Sequence, residues 1–256
     1  MATEYAPRGL VGLLSPQANT TAEPELSILL PPGYAAVNAR LVSTQASIEA
    51  RLVDYFEGLE AARAQFADAP LAALAFACTG ASYLAGRERE EAAVGAIGQR
   101  LGIPVVTAGQ AVVRALRELG ARRIGLCSPY PASLAQASVA YWESHGLQVT
   151  ALASPRPPEG GGHPIYGLRS ADAAAALDEL QAAHADAIVM LGTGMPSLAA
   201  LLQRRGRAGL PVVSCMLCLA WGAVHAIEPA DAQIGAWLEG RHWAAAFDRL
   251  LPRTAA

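Results

Sequence analysis

Val11-Gly12-Leu13-Leu14-Ser15-Pro16 is a short apolar run that stops at a turn, and it returns as Ile124-Gly125-Leu126-Cys127-Ser128-Pro129, an offset of 113 (124 minus 11). Cys78-Thr79-Gly80 returns as Gly192-Thr193-Gly194 at an offset of 114 (192 minus 78). Gly102-Ile103-Pro104-Val105-Val106-Thr107 returns as Gly209-Leu210-Pro211-Val212-Val213-Ser214 at an offset of 107 (209 minus 102). Apolar runs ending in Gly, Ser or Pro are common in any chain. Three of them in the same order at nearly the same offset indicate an internal duplication. Cys78 and Gly192 stand at matching places, so only one half supplies a thiol there.

Outward from these segments, strand-length apolar runs fall at residues 10–14, 35–41, 71–77, 104–107, 123–127, 148–153, 187–191 and 211–214. Helix-patterned stretches lie between them at 48–66, 87–101, 110–119, 133–145, 171–184, 197–203 and 219–227, several ending at Gly102, Gly120, Gly146 or Gly209 as helices do. Strands alternating with helices predict βαβ units and parallel sheets. The expected fold is α/β: two pseudo-symmetric lobes, each a four-stranded mainly parallel sheet flanked by helices, with the active site in the cleft between them. The expected divisions are residues 1–107, 108–227 and a C-terminal helical extension, 228–256. A final helix over 231–250, with Trp237, Trp243 and Phe247, is expected to pack back on the body or at an oligomer contact.

The chain has 256 residues, 53% of them hydrophobic and many of these alanine, and a net charge of -3. Its mean hydropathy is +0.27. No apolar stretch approaches the roughly 18 residues of a membrane span. The first residues lack the basic-then-apolar order of a signal peptide, and no basic block offers a nucleic-acid footprint. The four cysteines form no disulfide framework, and Cys127, Cys215 and Cys218 read as small buried hydrophobes. The expectation is a cytoplasmic protein with a small-molecule substrate, no nucleic-acid or membrane partner, and the option of a homo-oligomer. With no HxxxH, acidic metal cluster or glycine-rich phosphate loop, no metal is expected.

Ligands of open parallel sheets sit beyond the carboxyl ends of the strands. That rule selects the loops around 15–25, 78–83, 128–130 and 192–197. Cys78 stands where a strand meets a helix start, a place that suits a thiolate or an anion. Thr79, Gly80, Ala81 and Ser82 would add backbone and hydroxyl donors for a carboxylate or an enediolate. Asn19 suits a carboxylate as well as a turn, and Tyr130 is its counterpart candidate in the second half. Glu23 and Glu25 read as a solvated helix start. Residues 153–166 form a Pro/Gly-rich loop carrying His163; His145, His184, His225 and His242 read as structural.

The segments Gly12 through Glu25, Ala77-Cys78-Thr79-Gly80-Ala81-Ser82, 102–107, 123–130 and 211–221 together resemble the aspartate/glutamate racemase superfamily, in its branch of maleate isomerases and arylmalonate decarboxylases. The Asn19-Thr20-Thr21-Ala22-Glu23 stretch resembles the isomerases more. The resemblance implies a cofactor-independent enzyme with a small carboxylate or dicarboxylate between the lobes. It implies Cys78 as the first-lobe cysteine, Tyr130 as a phenol touching substrate and Asn19 as a carboxylate contact, with His163 near a loop asparagine of the isomerases. Together with the strand-end loops this makes Cys78 and Tyr130 the expected catalytic residues, and Asn19, Thr79, Gly80, Ser128, Gly192, Thr193, Gly194 and His163 the expected substrate-binding residues. Gly192 departs from the racemases and isomerases, which place a second cysteine there. Two-base racemisation is thereby disfavoured. Cis–trans isomerisation through an adduct of Cys78 is the leading expectation. An arylmalonate-type decarboxylase with Cys78 as one-sided proton donor is the alternative, and a catalytically degenerate carboxylate-binding protein is a third. Gly192, Met190, Leu191 and Met195 are expected to leave room for a bulky substituent.

Overall fold

The structure, a computed structural model, describes residues 3–158, 163–206, 208–229 and 233–250. β1 (Gly9–Pro16), β2 (Tyr34–Leu41), β3 (Ala73–Phe76) and β4 (Val105–Thr107) form one sheet in the order β2-β1-β3-β4. β5 (Arg123–Cys127), β6 (Gln148–Ala153), β7 (Ala187–Met190) and β8 (Val212–Ser214) form the other, β6-β5-β7-β8. Every pairing is parallel. The fold class expected from the sequence is the one found, and each predicted strand lies within two residues of an observed one.

The duplication extends to single hydrogen bonds. Ala77 N–H donates to the Leu14 carbonyl at 2.8 Å, and Leu191 N–H donates to the Cys127 carbonyl at 2.9 Å. Thr107 Oγ1 accepts from Gln110 N–H at 3.1 Å, and Ser214 Oγ accepts from Leu217 N–H at the same distance. Strands β3 and β7 are buried along their whole length, so they read as unbroken apolar runs. The edge strands β2 and β6 show solvent on one side and a mixed pattern.

The helices run α1 (Ala22–Leu29), α2 (Ile48–Glu57), α3 (Leu59–Arg63), α4 (Thr79–Ala85), α5 (Arg87–Leu101) and α6 (Ala108–Glu118) up to β5. They continue as α7 (Ala132–Ser144), α8 (Ala174–Gln181), α9 (Leu198–Arg204), α10 (Cys215–Ile227), α11 (Ile234–Leu238) and α12 (Ala244–Leu250). The stretch predicted as one helix over 48–66 breaks at Gly58 and ends in a 3₁₀ turn, Ala64–Phe66. The stretch over 171–184 likewise opens as a 3₁₀ turn, Ser170–Ala173. The predicted terminal helix is two short ones separated at Gly240, whose φ of +67° suits glycine; its start at Asp231 lies outside the described residues.

Helices tie the halves together. α10 packs on α6, α1, β3 and β4, while α4 packs on α7. After α10 the chain packs back on the body: Ile234 N–H donates to Glu118 at the end of α6 at 2.7 Å, and His242 bonds the Leu29 carbonyl of α1 at 2.9 Å. Trp142, Trp221 and Trp243 are fully buried, each side chain of this size contributing about 1.5–3 kcal/mol on transfer from water.

Candidate active site

The carboxyl ends of the strands meet between the halves. Cys78, two residues past β3, is the N-cap of α4 with φ -148° and ψ 85°. It lines a cavity of about 140 Å³ together with Asn19, Tyr130, His163, Thr193 and Gly194. These six are the sequence-nominated residues that the fold brings to the cavity lining. Thr79, Gly80 and Gly192 are not part of that lining, and Ser128 lines a second, outer groove. Gly80 lies under Leu52, whose methyl would sit 2.9 Å from an added Cβ.

The lining residues also stitch the halves. Asn19 Oδ1 accepts from Thr21 N–H at 2.9 Å and from Ala22 N–H at 3.0 Å, closing an Asx turn just before α1. Its Nδ2 donates to Thr193 Oγ1 at 3.2 Å, which leaves one further N–H at the cavity wall. The Thr193 hydroxyl is itself committed, donating to the Ala77 carbonyl at 2.7 Å. Thr79 Oγ1 and the Tyr130 hydroxyl lie 2.8 Å apart, joining α4 to the second half. Thr21 Oγ1 donates to the Gly194 carbonyl at 2.9 Å.

His163 closes the cavity from its loop. Its Nδ1 accepts from Ile165 N–H and Tyr166 N–H, both at 3.2 Å, so the neutral ring carries its proton on Nε2. Burial and the Arg51 charge both hold its pKa below the ordinary histidine value. The ring stacks on Tyr166 at 4.1 Å. Tyr166 in turn lies on Gly194, where an added Cβ would be 2.4 Å from the phenol ring.

Burial pushes the Cys78 thiol up to about 12, opposed by a hydrogen bond from the Ala81 N–H at the start of α4. Burial therefore favours a thiol, not a thiolate, at Cys78. Burial also raises Tyr130 well above the usual phenol range, so it is a donor. Cys127 and Cys215 are pushed up to about 12 as well, and all four cysteines are buried. Cys215 bonds the Gly192 backbone and the Thr79 side chain from behind the wall.

Two expectations change here. Gly192 opens no space: its φ is +84°, and an added Cβ would meet Pro129 Cγ at 3.1 Å and the Tyr130 hydroxyl at 3.4 Å. Met190, Leu191 and Met195 are core residues that do not reach the cavity wall. Room lies on the other side, in an outer groove of about 430 Å³ walled by prolines. Glu25, read as solvated, is 6% exposed. It accepts from Ser197 N–H at 2.5 Å, Ser197 Oγ at 2.8 Å and Leu198 N–H at 3.2 Å across the interface.

Sequence reasoning passed over one face of α2. Ile48, Arg51, Leu52 and Tyr55, spaced as one helical stripe, line the cavity. The spacing was a usable signal, but the strand-end rule looks only at loops. Tyr166 was missed because nothing local separates it from any loop tyrosine.

Residues 11–237 match the family model of arylmalonate decarboxylase. The chain belongs to the arylmalonate decarboxylase family. A maleate isomerase of Geobacillus stearothermophilus is 27% identical over 221 residues, which cover 80% of this chain and 86% of that one. The fold is similar to the maleate isomerase of Pseudomonas putida S16, with a TM-score of 0.78 at 20% identity over 91% of this chain and 98% of that one. It is also similar to a Cys-to-Ser mutant of Nocardia farcinica maleate cis-trans isomerase with a covalently bound succinylcysteine intermediate, with a TM-score of 0.74 at 24% identity over 86% and 93%. The maleate isomerase and arylmalonate decarboxylase branch expected from the sequence is thus the one the chain belongs to. No helix among the described residues is long and apolar enough to cross a membrane. Among them no group of three or more metal-ligating side chains is placed to hold a metal ion.

Proposed function

We propose that this protein is a cofactor-independent isomerase of the maleate cis-trans type, acting on a small dicarboxylate through Cys78. The observation that carries the reading is the one-sided cavity: a single buried thiol facing Asn19, Tyr130 and His163 donors, with no acid on the wall. The likeness to maleate isomerases, one of them with a succinylcysteine intermediate, supports it. Residues 1–107 and 108–227 would be the two lobes, 228–256 the helical extension, and the cytoplasm the compartment.

In this reading the Cys78 sulfur bonds to one olefinic carbon, and the π pair moves to the neighbouring carboxylate as an enediolate. The thiol proton passes to an enediolate oxygen as charge builds there. Asn19 Nδ2 and the Tyr130 hydroxyl donate to the same oxygens. The former double bond is now single and rotates. The enediolate pair then reforms the double bond in trans, the sulfur leaves, and its proton returns. Gly192 removes nothing this sequence requires, because one nucleophile forms and breaks the only new bond.

The match to the arylmalonate decarboxylase family model supports a second reading, decarboxylation of an arylmalonate. Carbon dioxide leaves with its bond pair on the remaining carbon, and the thiol protonates the resulting enediolate from the Cys78 face. Incubation with maleate and with phenylmalonate, followed by proton NMR, separates the two. Fumarate signals support the first reading and arylacetate signals the second. Turnover retained in Cys78→Ala would sink both.

A further inference from the structure

The inner cavity and the proline-walled outer groove share Ile48, Arg51, Tyr130, His163 and Ile165 as lining, so Arg51 lies on the wall of both. Among the described residues it is the one arginine on either wall, and none of the described lining residues is an aspartate or a glutamate. Its Nη1 donates to the Ala46 carbonyl at 3.2 Å and the Gln45 carbonyl at 3.5 Å, which holds one edge of the guanidinium against the loop before the helix. The remaining N–H groups are free to form a two-point contact with a carboxylate.

The acids of the same helix are engaged elsewhere. Glu49 accepts from Ser133, Asp54 from Ser43 and Glu57 from Arg89. Among the described residues Arg51 forms no ion pair. Its charge nonetheless reaches the cavity, since it acts on Tyr55, Tyr166 and His163. A half-buried cation that faces a cavity of donors and aromatic walls, with no counter-charge among the described residues, suits an anionic ligand.

We propose that Arg51 is the specificity-determining residue of this site, binding the substrate carboxylate farther from Cys78 so that the cavity selects dianions over monoanions. The inference rests on the reading of the site as a dicarboxylate enzyme and adds which residue recognises the second charge. Asn19 and Tyr130 hold the carboxylate at the reacting end. Arg51 and the Nε2–H of His163 meet the other at the cavity mouth.

The test is calorimetry on Cys78→Ser, which keeps the ligand unreacted, with malonate, maleate, succinate and their monomethyl esters. With Arg51 present, at least one diacid is expected to bind about tenfold or more tighter than its ester. In Cys78→Ser/Arg51→Gln that ratio is expected to fall to about twofold or less, with ester affinity unchanged, and Arg51→Lys is expected to restore part of it. A ratio that survives Arg51→Gln overturns the proposal, and so does the lack of any dianion preference with Arg51 in place. Turnover of maleate by the unaltered protein is scored separately. If that fails while the Arg51-dependent preference holds, the isomerase reading falls and the recognition of dianions stands.

Discussion

Glu25→Gln should leave the protein as stable as before in acid and make it more stable above neutrality. Glu25 sits on α1 with both carboxylate oxygens in the lobe interface. Oε1 takes the backbone N–H groups of Ser197 and Leu198, and Oε2 faces the Ser197 hydroxyl. That hydroxyl lies 2.8 Å from Ser214 Oγ. Among the described residues no cation pairs with the carboxylate, and burial raises its pKa from 4.5 to about 7. When protonated, Glu25 donates to Ser197, which donates to Ser214. A carboxamide reproduces that pattern at every pH, its oxygen accepting the two N–H groups and its Nε2 donating to Ser197.

The sign follows from linkage. Below pH 4.5 the acid is protonated in both the folded and unfolded chains, and its ionisation costs nothing. As pH rises towards 7 the unfolded chain ionises first, so folding loses stability until the folded group also ionises. A displacement from 4.5 to about 7 at about 1.4 kcal/mol per pH unit amounts to about 3 kcal/mol. For a chain of this size that is about 6–12 °C in Tm. Thermal or urea unfolding of both proteins between pH 4.5 and 8 reads the difference directly. Glu90, also raised by burial, is common to both and cancels. A difference that does not change with pH, or a Gln variant less stable at pH 8, would refute the reasoning. Glu25→Ala is the contrast: it strands two N–H groups and should cost about 1–3 kcal/mol for each at every pH.

Gly192→Cys, which restores a thiol to the second half, should lower stability by about 1–3 kcal/mol and bring no gain in turnover, because φ is +84° and Pro129 stands 3.1 Å from the new Cβ. A folded variant with undiminished Tm and faster fumarate formation would contradict this. Tyr130→Phe removes a donor at the enediolate and should reduce kcat about 100-fold, with a stability loss of about 1 kcal/mol from the lost hydrogen bond to Thr79. Steady-state kinetics and unfolding curves separate the two effects. An unchanged kcat would remove Tyr130 from the chemistry.

Much of the architecture was legible before any coordinates. The strands that became β3 and β7 are buried on both faces, and such strands must be written as unbroken apolar runs. The glycines at 102, 120 and 146 end helices in the left-handed region, so they stand out as punctuation. Because the halves share one βαβ plan, equivalent strand ends had to fall together, and Cys78 was marked by its place in the repeat. The break at Gly58 was less legible, since an i, i+3, i+4 stripe can run on through a helix that a turn interrupts.

The sequence by itself determined two parallel sheets of the same order, a cleft at their carboxyl ends, and a thiol on one side of it. These follow from local periodicity and from order along the chain. Only the tertiary structure decided what the cleft contains. Glu25 looks like any solvated acid until Ser197, 172 residues away, covers it. Arg51 looks like any helix-surface arginine until residues 163–166 complete a cavity beside it. Gly192 looks like a missing side chain until the backbone shows φ +84° against Pro129 and Tyr130. Burial, pKa and unpaired charge depend on which groups of one half face the other. That pairing is set by how the lobes pack, for which no stretch of sequence carries a local signal.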